Sequence, residues 1–233
     1  MREKVIKAIE KEKIIAIVRG VEKDKLIPLA RALYNGGIKL IEITYSADKS
    51  VSDAETAENI KMLCDEFDGK MYVGAGTVLT KEQVRLTKNA GGLFIISPDM
   101  RREVIEETVK CGLVSLPGAL TPTEIREADL CGADFVKVFP ADNFGCAYIK
   151  AVKAPLSNIK LLAVGGVDEN NMKSYIDIGV SGFGIGSNIV KKSLVGAGEF
   201  DKITELAKKY TLQIEKQNQY GGRFNFCLNE AFR

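Results

Sequence analysis

DFVKVFP, residues 134–140, decides how this chain is read. Side chains alternate across a β-strand, so Phe135, Lys137 and Phe139 share one face while Val136 and Val138 share the other. A strand with apolar residues on both faces is buried on both sides, which is the habit of parallel sheets covered by helices. Its one charge must then be paired or functional, because burying an isolated charge is costly.

Outward from this stretch the same grammar recurs. Short apolar runs stand at IIAIVR (14–19), LIEITY (40–45), MYVGAGTV (71–78), LFIISP (93–98), VSLPGA (114–119), KLLAVGGV (160–167) and GFGIGS (182–187). With DFVKVFP these make eight. Between them lie amphipathic stretches such as KLIPLARALYNGG (25–37) and PTEIREADLCGA (122–133). Strands alternating with helical patterns imply parallel βαβ units. Eight units in 233 residues, with no linker or low-complexity break, predict a single (β/α)8 barrel of the TIM type rather than an open doubly wound sheet. MREKVIKAIEKEK (1–13) predicts a short amphipathic N-terminal helix. The barrel is assigned to residues 1–218. FDKITELAKKYTLQIEKQ (200–217) reads as the last helix, and the pattern does not place the tail, residues 219–233.

Composition narrows the function. Net charge is +2, from 33 basic and 31 acidic residues, which is not the profile of a nucleic-acid binder. No apolar run is long enough to span a bilayer and no signal peptide is evident, so a cytoplasmic location is expected. The five cysteines, Cys64, Cys111, Cys131, Cys146 and Cys227, are scattered without CxxC spacing, which reads as reduced, mostly buried thiols rather than disulfides or a metal site. With no histidine in the chain, acid–base chemistry falls to Glu, Asp, Lys, Tyr or water.

Two other charges sit in strands. Glu42 shares a face with Leu40 and Thr44, while Ile41 and Ile43 take the opposite one; Arg19 is in phase with Ile15 and Ile17. All three charges are placed in the barrel lumen, near the C-terminal strand ends where barrel enzymes keep their active sites. They can be a structural ion-pair cluster. They can equally be a site in which a lysine desolvated among Phe135 and Phe139 attacks a ketone to form an imine. Gly165-Gly166 and Gly186-Ser187 end the seventh and eighth runs, where barrels often bind phosphate, and Asp168 is a candidate helix N-cap.

Taken together and in order, these motifs resemble the 2-keto-3-deoxy-6-phosphogluconate and 4-hydroxy-2-oxoglutarate aldolase family over roughly residues 5–215. The resemblance rests on IAIVRG with Arg19, IEIT with Glu42, VGAGTVL with Thr77, ISP with Pro98, LPGALTPTE with Pro117 and Gly118, and VKVFPA with Lys137 and Phe139. AVGGV and GIGS complete it, with Gly165, Gly166, Gly186 and Ser187. The resemblance implies a class I (Schiff-base) aldolase, a carbon–carbon lyase. Lys137 would form an imine with the C2 ketone and Glu42 would shuttle protons. Arg19, aided by Thr77, would hold the substrate carboxylate, and the glycine loops would hold a 6-phosphate. It also implies release of pyruvate and glyceraldehyde 3-phosphate, a place in Entner–Doudoroff-type carbohydrate metabolism, no metal or other cofactor, and a homotrimer. Where gluconate-series members often carry an arginine four residues after the glutamate, this chain has Ser46; Ala163-Val164 stands where they often have Pro-Thr. AVGGV, together with FPADNFG (139–145) and YIKAVK (148–153), looks more like the galactonate-series enzymes, and the departures bear on the C4 stereochemistry rather than the reaction class. Two other readings of the residues stay open: a phosphosugar isomerase or epimerase using Glu42 as proton abstractor, and a non-catalytic phosphosugar-binding barrel.

Overall fold

A computed structural model describes residues 1–230, with side chains through residue 216. Nine strand segments form one parallel sheet: β1 (Ile14–Val18), β2 (Leu40–Thr44), β3 (Tyr72–Gly76), β4 (Phe94–Ile96), β5 (Val114–Leu116), β6 (Gly118–Ala119), β7 (Val136–Val138), β8 (Leu161–Val164) and β9 (Gly182–Ile185). Their order is β5-β4-β3-β2-β1-β9-β8-β7-β6. The two ends of that order, β5 and β6, are halves of the single run 114–119. They are interrupted at Pro117, which has no N–H to give to a ladder. Pro117 still accepts from the Lys137 N–H at 2.9 Å, and Ser115 O accepts from Asp134 and Phe135. The eight runs therefore close into a barrel with a split fifth strand, and the open-sheet alternative falls.

Two cores flank the sheet. The outer one joins Val136, Val138, Ile41, Ile43, Ala16 and Ile185 to the helix layer. The lumenal one contains Ile15, Leu40, Phe94, Ile96, Val114, Leu116, Phe135, Leu162 and Val164. The alternation read from the sequence thus holds at every strand that carries a candidate site residue. Large lumenal side chains need gaps opposite them: a Cβ on Gly74 would lie 2.3 Å from the Phe94 ring. The strand glycines of the third run make that room.

The helices supply the outer ring and a floor. α1 (Arg2–Glu12) buries Val5, Ala8 and Ile9. Val5 and Ile9 belong to the lumenal core, so α1 stops the N-terminal end of the barrel. Two ion pairs pin it there, Arg2 to Asp134 at 2.8 Å and Glu10 to Lys160 at 2.7 Å, both just upstream of a strand. Around the outside run α2 (Lys23–Asn35), α3 (Asp53–Glu66), α4 (Lys81–Asn89), α5 (Arg102–Lys110), α6 (Pro122–Leu130), α7 (Gly145–Lys153), α8 (Met172–Asp177) and α9 (Lys192–Gly196). α6 shows why such stretches start where they do: Thr121 and Glu124 form a reciprocal capping box, with Pro122 in the first turn. α10 (Phe200–Glu230) packs on α2 and carries helical backbone past residue 218 into the segment the sequence did not place. Residues 231–233 and the side chain of Cys227 lie outside the described residues.

Two expectations need correction. Cys64, Cys111, Cys131 and Cys146 are free, but half-buried rather than buried; burial still raises the Cys64 thiol to about 11, a poor nucleophile at neutral pH. Asp168 does not cap α8, which begins at Met172. Its carboxylate instead accepts the N–H groups of Asn170 and Asn171 and closes a turn ahead of that helix. Among the described residues no helix is long and apolar enough to cross a membrane.

Candidate active site

The strands place the two central groups on opposite arcs of the barrel. Register sets Glu42 on β2 beside Ile17 and Gly74, and Lys137 on β7 beside Gly118 and Leu162. Glu42 is 2% exposed and Lys137 8%. Together they line a cavity of about 10 Å3 walled by Ile15, Ile96, Leu116 and Val164, near the lower limit for a single water molecule. Glu42 Oε2 is buried without a hydrogen-bond partner. Among the described residues neither Glu42 nor Lys137 forms an ion pair, although eighteen such pairs exist elsewhere. A structural ion-pair cluster is therefore not what fills this lumen.

Burial drives both groups toward their neutral forms. Desolvation raises the Glu42 carboxyl to about 7, against the opposing pull of Lys137 and Arg19. Desolvation lowers the Lys137 ammonium, Glu42 opposes this, and Arg19 adds to it. Each group senses the other, so they titrate as a pair. A lysine that readily loses its proton is a nucleophile for a carbonyl carbon, and a carboxyl poised near neutrality can both take and give a proton.

The collar around Lys137 differs from the one expected. Phe135 lies deeper in the lumenal core, with the Lys160 ammonium 5.3 Å from its ring centroid. Phe139 is the aromatic beside the amine, its ring centroid 4.7 Å from Lys137 Nζ, and it is 40% exposed at the mouth. The desolvating wall is largely aliphatic.

Arg19 follows β1 and donates from Nη2 to Thr77 Oγ1 at 3.2 Å. Thr77 holds a φ of 55°, a left-handed conformation that a β-branched residue rarely adopts and that is tolerated at functional sites. Both residues, with Thr44 and Ser46, line a cavity of about 690 Å3 between the loops after β1 and β2. That cavity includes neither Lys137 nor Glu42. The small cavity holds Glu42 and Lys137, and the larger one holds Arg19 and Thr77.

The remaining candidates ring the same mouth. Pro98 follows β4, and its carbonyl leaves no room for a Cβ on Gly118, which would come within 2.3 Å of it. Gly165 and Gly166 both have positive φ, 98° and 66°, and Gly165 packs against Pro140 and Ala141. Gly186 faces Ile17, with Ser187 exposed next to it. Three residues escaped the sequence reading. A Cβ on Gly76 would sit 2.4 Å from Glu42 Oε1, so this glycine makes the space the carboxylate occupies. Its lumenal phase, two residues from Gly74, was the available signal. Asp142 packs directly on Gly166, and Asn188 reaches the loop after β8; neither carries a local sequence signal beyond being polar near a turn.

The profile of the KDPG and KHG aldolases matches residues 5–206. The chain belongs to that family. It is 36% identical to the 2-dehydro-3-deoxy-6-phosphogalactonate aldolase of Escherichia coli over 76% of this chain and 84% of the relative. It is 33% identical to the 2-dehydro-3-deoxy-phosphogluconate aldolase of Treponema pallidum, over 90% of this chain and 97% of that one. Among solved structures, a KDPG aldolase from Legionella pneumophila, with pyruvate captured as a covalent carbinolamine, superposes with a TM-score of 0.78 at 28% identity, covering 87% of this chain and 96% of that one. The barrel is thus that of an aldolase, a carbon–carbon lyase; the isomerase and the non-catalytic readings are set aside.

Proposed function

We propose that this aldolase cleaves a 2-keto-3-deoxy-6-phospho sugar acid to pyruvate and glyceraldehyde 3-phosphate. Lys137 is the Schiff-base amine and Glu42 the proton shuttle. The observation that carries this is the unpaired Lys137–Glu42 couple in the lumen, both groups shifted toward neutrality by burial.

The steps follow from the groups present. Neutral Lys137 attacks the C2 ketone, and loss of water gives the iminium. Glu42 takes the C4 hydroxyl proton, the C3–C4 bond breaks, and its electron pair passes into the iminium to give an enamine, while C4 leaves as the aldehyde. Protonation of C3, with Glu42 as the proton source, gives the pyruvyl imine. Water then releases pyruvate and regenerates the amine. Arg19 and Thr77 hold the carboxylate, Pro98 and Phe139 wall the three-carbon end, and Gly165, Gly166, Gly186 and Ser187 receive the 6-phosphate. The chemistry needs no metal or other cofactor, so activity should survive chelators. The shorter 4-hydroxy-2-oxoglutarate presents the same ketone and C4 hydroxyl and is the second substrate of this reading, giving pyruvate and glyoxylate.

Ser46 and Val164 favour the galactonate series. Ser46 turns its hydroxyl to Asp48 and Ser50, and Val164 lies in the apolar wall beside Lys137, so neither offers a cation or free hydroxyl to read the C4 configuration. An apolar wall discriminates weakly. The galactonate-series 6-phosphate should be turned over at least as well as its gluconate epimer. Comparison of kcat/KM for the two epimers on one enzyme preparation tests this; a preference above about 100-fold for the gluconate epimer, roughly 2.7 kcal/mol, contradicts it. The enzyme is read as a cytoplasmic homotrimer whose catalytic unit is residues 1–218. The trimer is implied by the family resemblance, and likeness to a cage designed by fusing symmetric oligomeric domains, 32% identical over 95% of this chain, supports a symmetric assembly.

A further inference from the structure

One asparagine side chain joins the loop after β9 to the loop after β8, and a second braces the β8 loop from within. Asn188, which follows Gly186-Ser187, donates from Nδ2 to the Val167 carbonyl at 2.8 Å. Asn171 donates from Nδ2 to the Gly166 carbonyl at 2.8 Å and accepts the Asp168 N–H on Oδ1 at 2.9 Å. Both contacts are to carbonyl oxygens, so both side chains must present their amide nitrogens there. The loop is braced from outside as well: the Tyr210 hydroxyl donates to Glu169 Oε2 at 2.9 Å, and Gln213 donates to the Glu169 carbonyl.

This stitching has a directional consequence. In a trans peptide the C=O and N–H point in opposite directions. Holding the Gly166 carbonyl against Asn171 therefore turns the Val167 N–H away from Asn171. Among the described residues no acceptor takes the Gly166, Val167 or Ser187 N–H. The two positive-φ glycines supply the curvature of the first loop. One feature opposes an anion here: the Asp142 carboxylate lies where a Gly166 Cβ would be, so an incoming phosphate must displace or outcompete it.

We propose that Asn188, with Asn171, is a positioning residue that locks the β8 and β9 loops into one cradle for the substrate phosphate. Asn188 does this across the gap between strands, and Asn171 within the first loop. The inference rests on the reading of these loops as the phosphate site. It adds that Asn171 orients the peptide that carries the free Val167 N–H, while Asn188 fixes the next peptide, Val167–Asp168, whose own N–H is already given to Asn171, and so holds the first loop against the second.

The test uses Asn188→Ala, Asn188→Asp and Asn188→Ser in the full chain, with steady-state cleavage of the 6-phosphorylated substrate and of its unphosphorylated counterpart. Inorganic phosphate serves as a competing probe. Loss of one well-placed hydrogen bond to the loop should raise KM for the phosphorylated substrate about tenfold relative to the unphosphorylated one. Inhibition by inorganic phosphate should weaken by a similar factor, while kcat changes less than KM. Asn188→Asp, near in shape but lacking the donor and bearing a charge, should be worse than Asn188→Ala. Asn188→Ser, which keeps a donor, should recover part of the loss. A merely space-filling asparagine would give the opposite ranking, with Asp mildest, and that result overturns the proposal. So does an unchanged KM ratio in folded variants of an enzyme whose wild type is inhibited by phosphate. If the wild type shows neither phosphate inhibition nor preference for the phosphorylated substrate, the phosphate site itself has been misplaced and the proposal falls with it. Melting temperatures identify any variant that fails to fold, and the near-isosteric Asp variant then carries the comparison.

Discussion

Glu42 is where the energetics of this protein and its chemistry oppose each other most directly. Its folded pKa, about 7, lies above its ordinary 4.5, so the folded state binds the proton more tightly than the unfolded chain does. That contribution to stability is fully present below pH 4.5 and is lost as pH rises through 7. Glu42→Gln removes the penalty at the higher pH values. The variant should melt higher than wild type at pH 8, by up to about 3 kcal/mol on the free-energy scale, and the gain should vanish near pH 4. Its turnover should fall by roughly 10²–10⁴-fold, the usual effect of losing a positioned acid–base group, with imine formation from pyruvate less affected. A variant that is destabilised equally at both pH values would show that the carboxylate is structurally paired after all. In the wild type, kcat/KM for cleavage should decline as pH drops below about 7, because a protonated Glu42 cannot accept the C4 hydroxyl proton. Lys137 and Glu42 were readable in sequence because a charge within an apolar strand has few structural excuses. The lumenal face of Phe135 was readable too, but not that Lys160 rather than Lys137 stands over its ring, since Lys160 precedes a different strand and only the folded barrel brings them together. Asn171 and Asn188 were missed because an asparagine in a turn looks the same whether it braces its own loop or a neighbour's.

At the scale of elements, the apolar runs marked every strand to within three residues at each end, because a fully buried parallel strand leaves a continuous hydrophobic trace. The split at Pro117 is visible only as a proline in the fifth run; that the ladder resumes at Gly118 depends on the Pro98 carbonyl packing against a residue without a Cβ. α1 was recognisable as an amphipathic helix, but its apolar face gave no indication of where it docks. Docked under the barrel, it contributes Val5 and Ile9, both fully buried, to the same core that desolvates Lys137. Ile9→Ala should therefore cost about 2–5 kcal/mol of unfolding free energy in a denaturant titration, as large-to-small core changes do. A midpoint unchanged from wild type would mean that α1 is a surface attachment and not the barrel's floor.

For the whole molecule, closure is what converts separate strand positions into a site. Lys137 and Glu42 are 95 positions apart in the chain (137 − 42) and meet only because β7 and β2 stand on opposite arcs of one barrel. Composition and periodicity could predict that closure, since eight βα units without a linker have few other compact arrangements. Assembly is less legible, because subunit contacts leave no periodic trace; light scattering should give three times the chain mass, and a monomer at working concentrations would contradict the trimer. The central claim is covalent, and borohydride reduction in the presence of pyruvate tests it most directly. The account predicts a stable adduct of one pyruvate per chain, mapped by mass spectrometry to the peptide containing Lys137 and absent in Lys137→Met, whose cleavage activity should fall by several orders of magnitude. No adduct under conditions where pyruvate binds, or an adduct on another lysine, would contradict it.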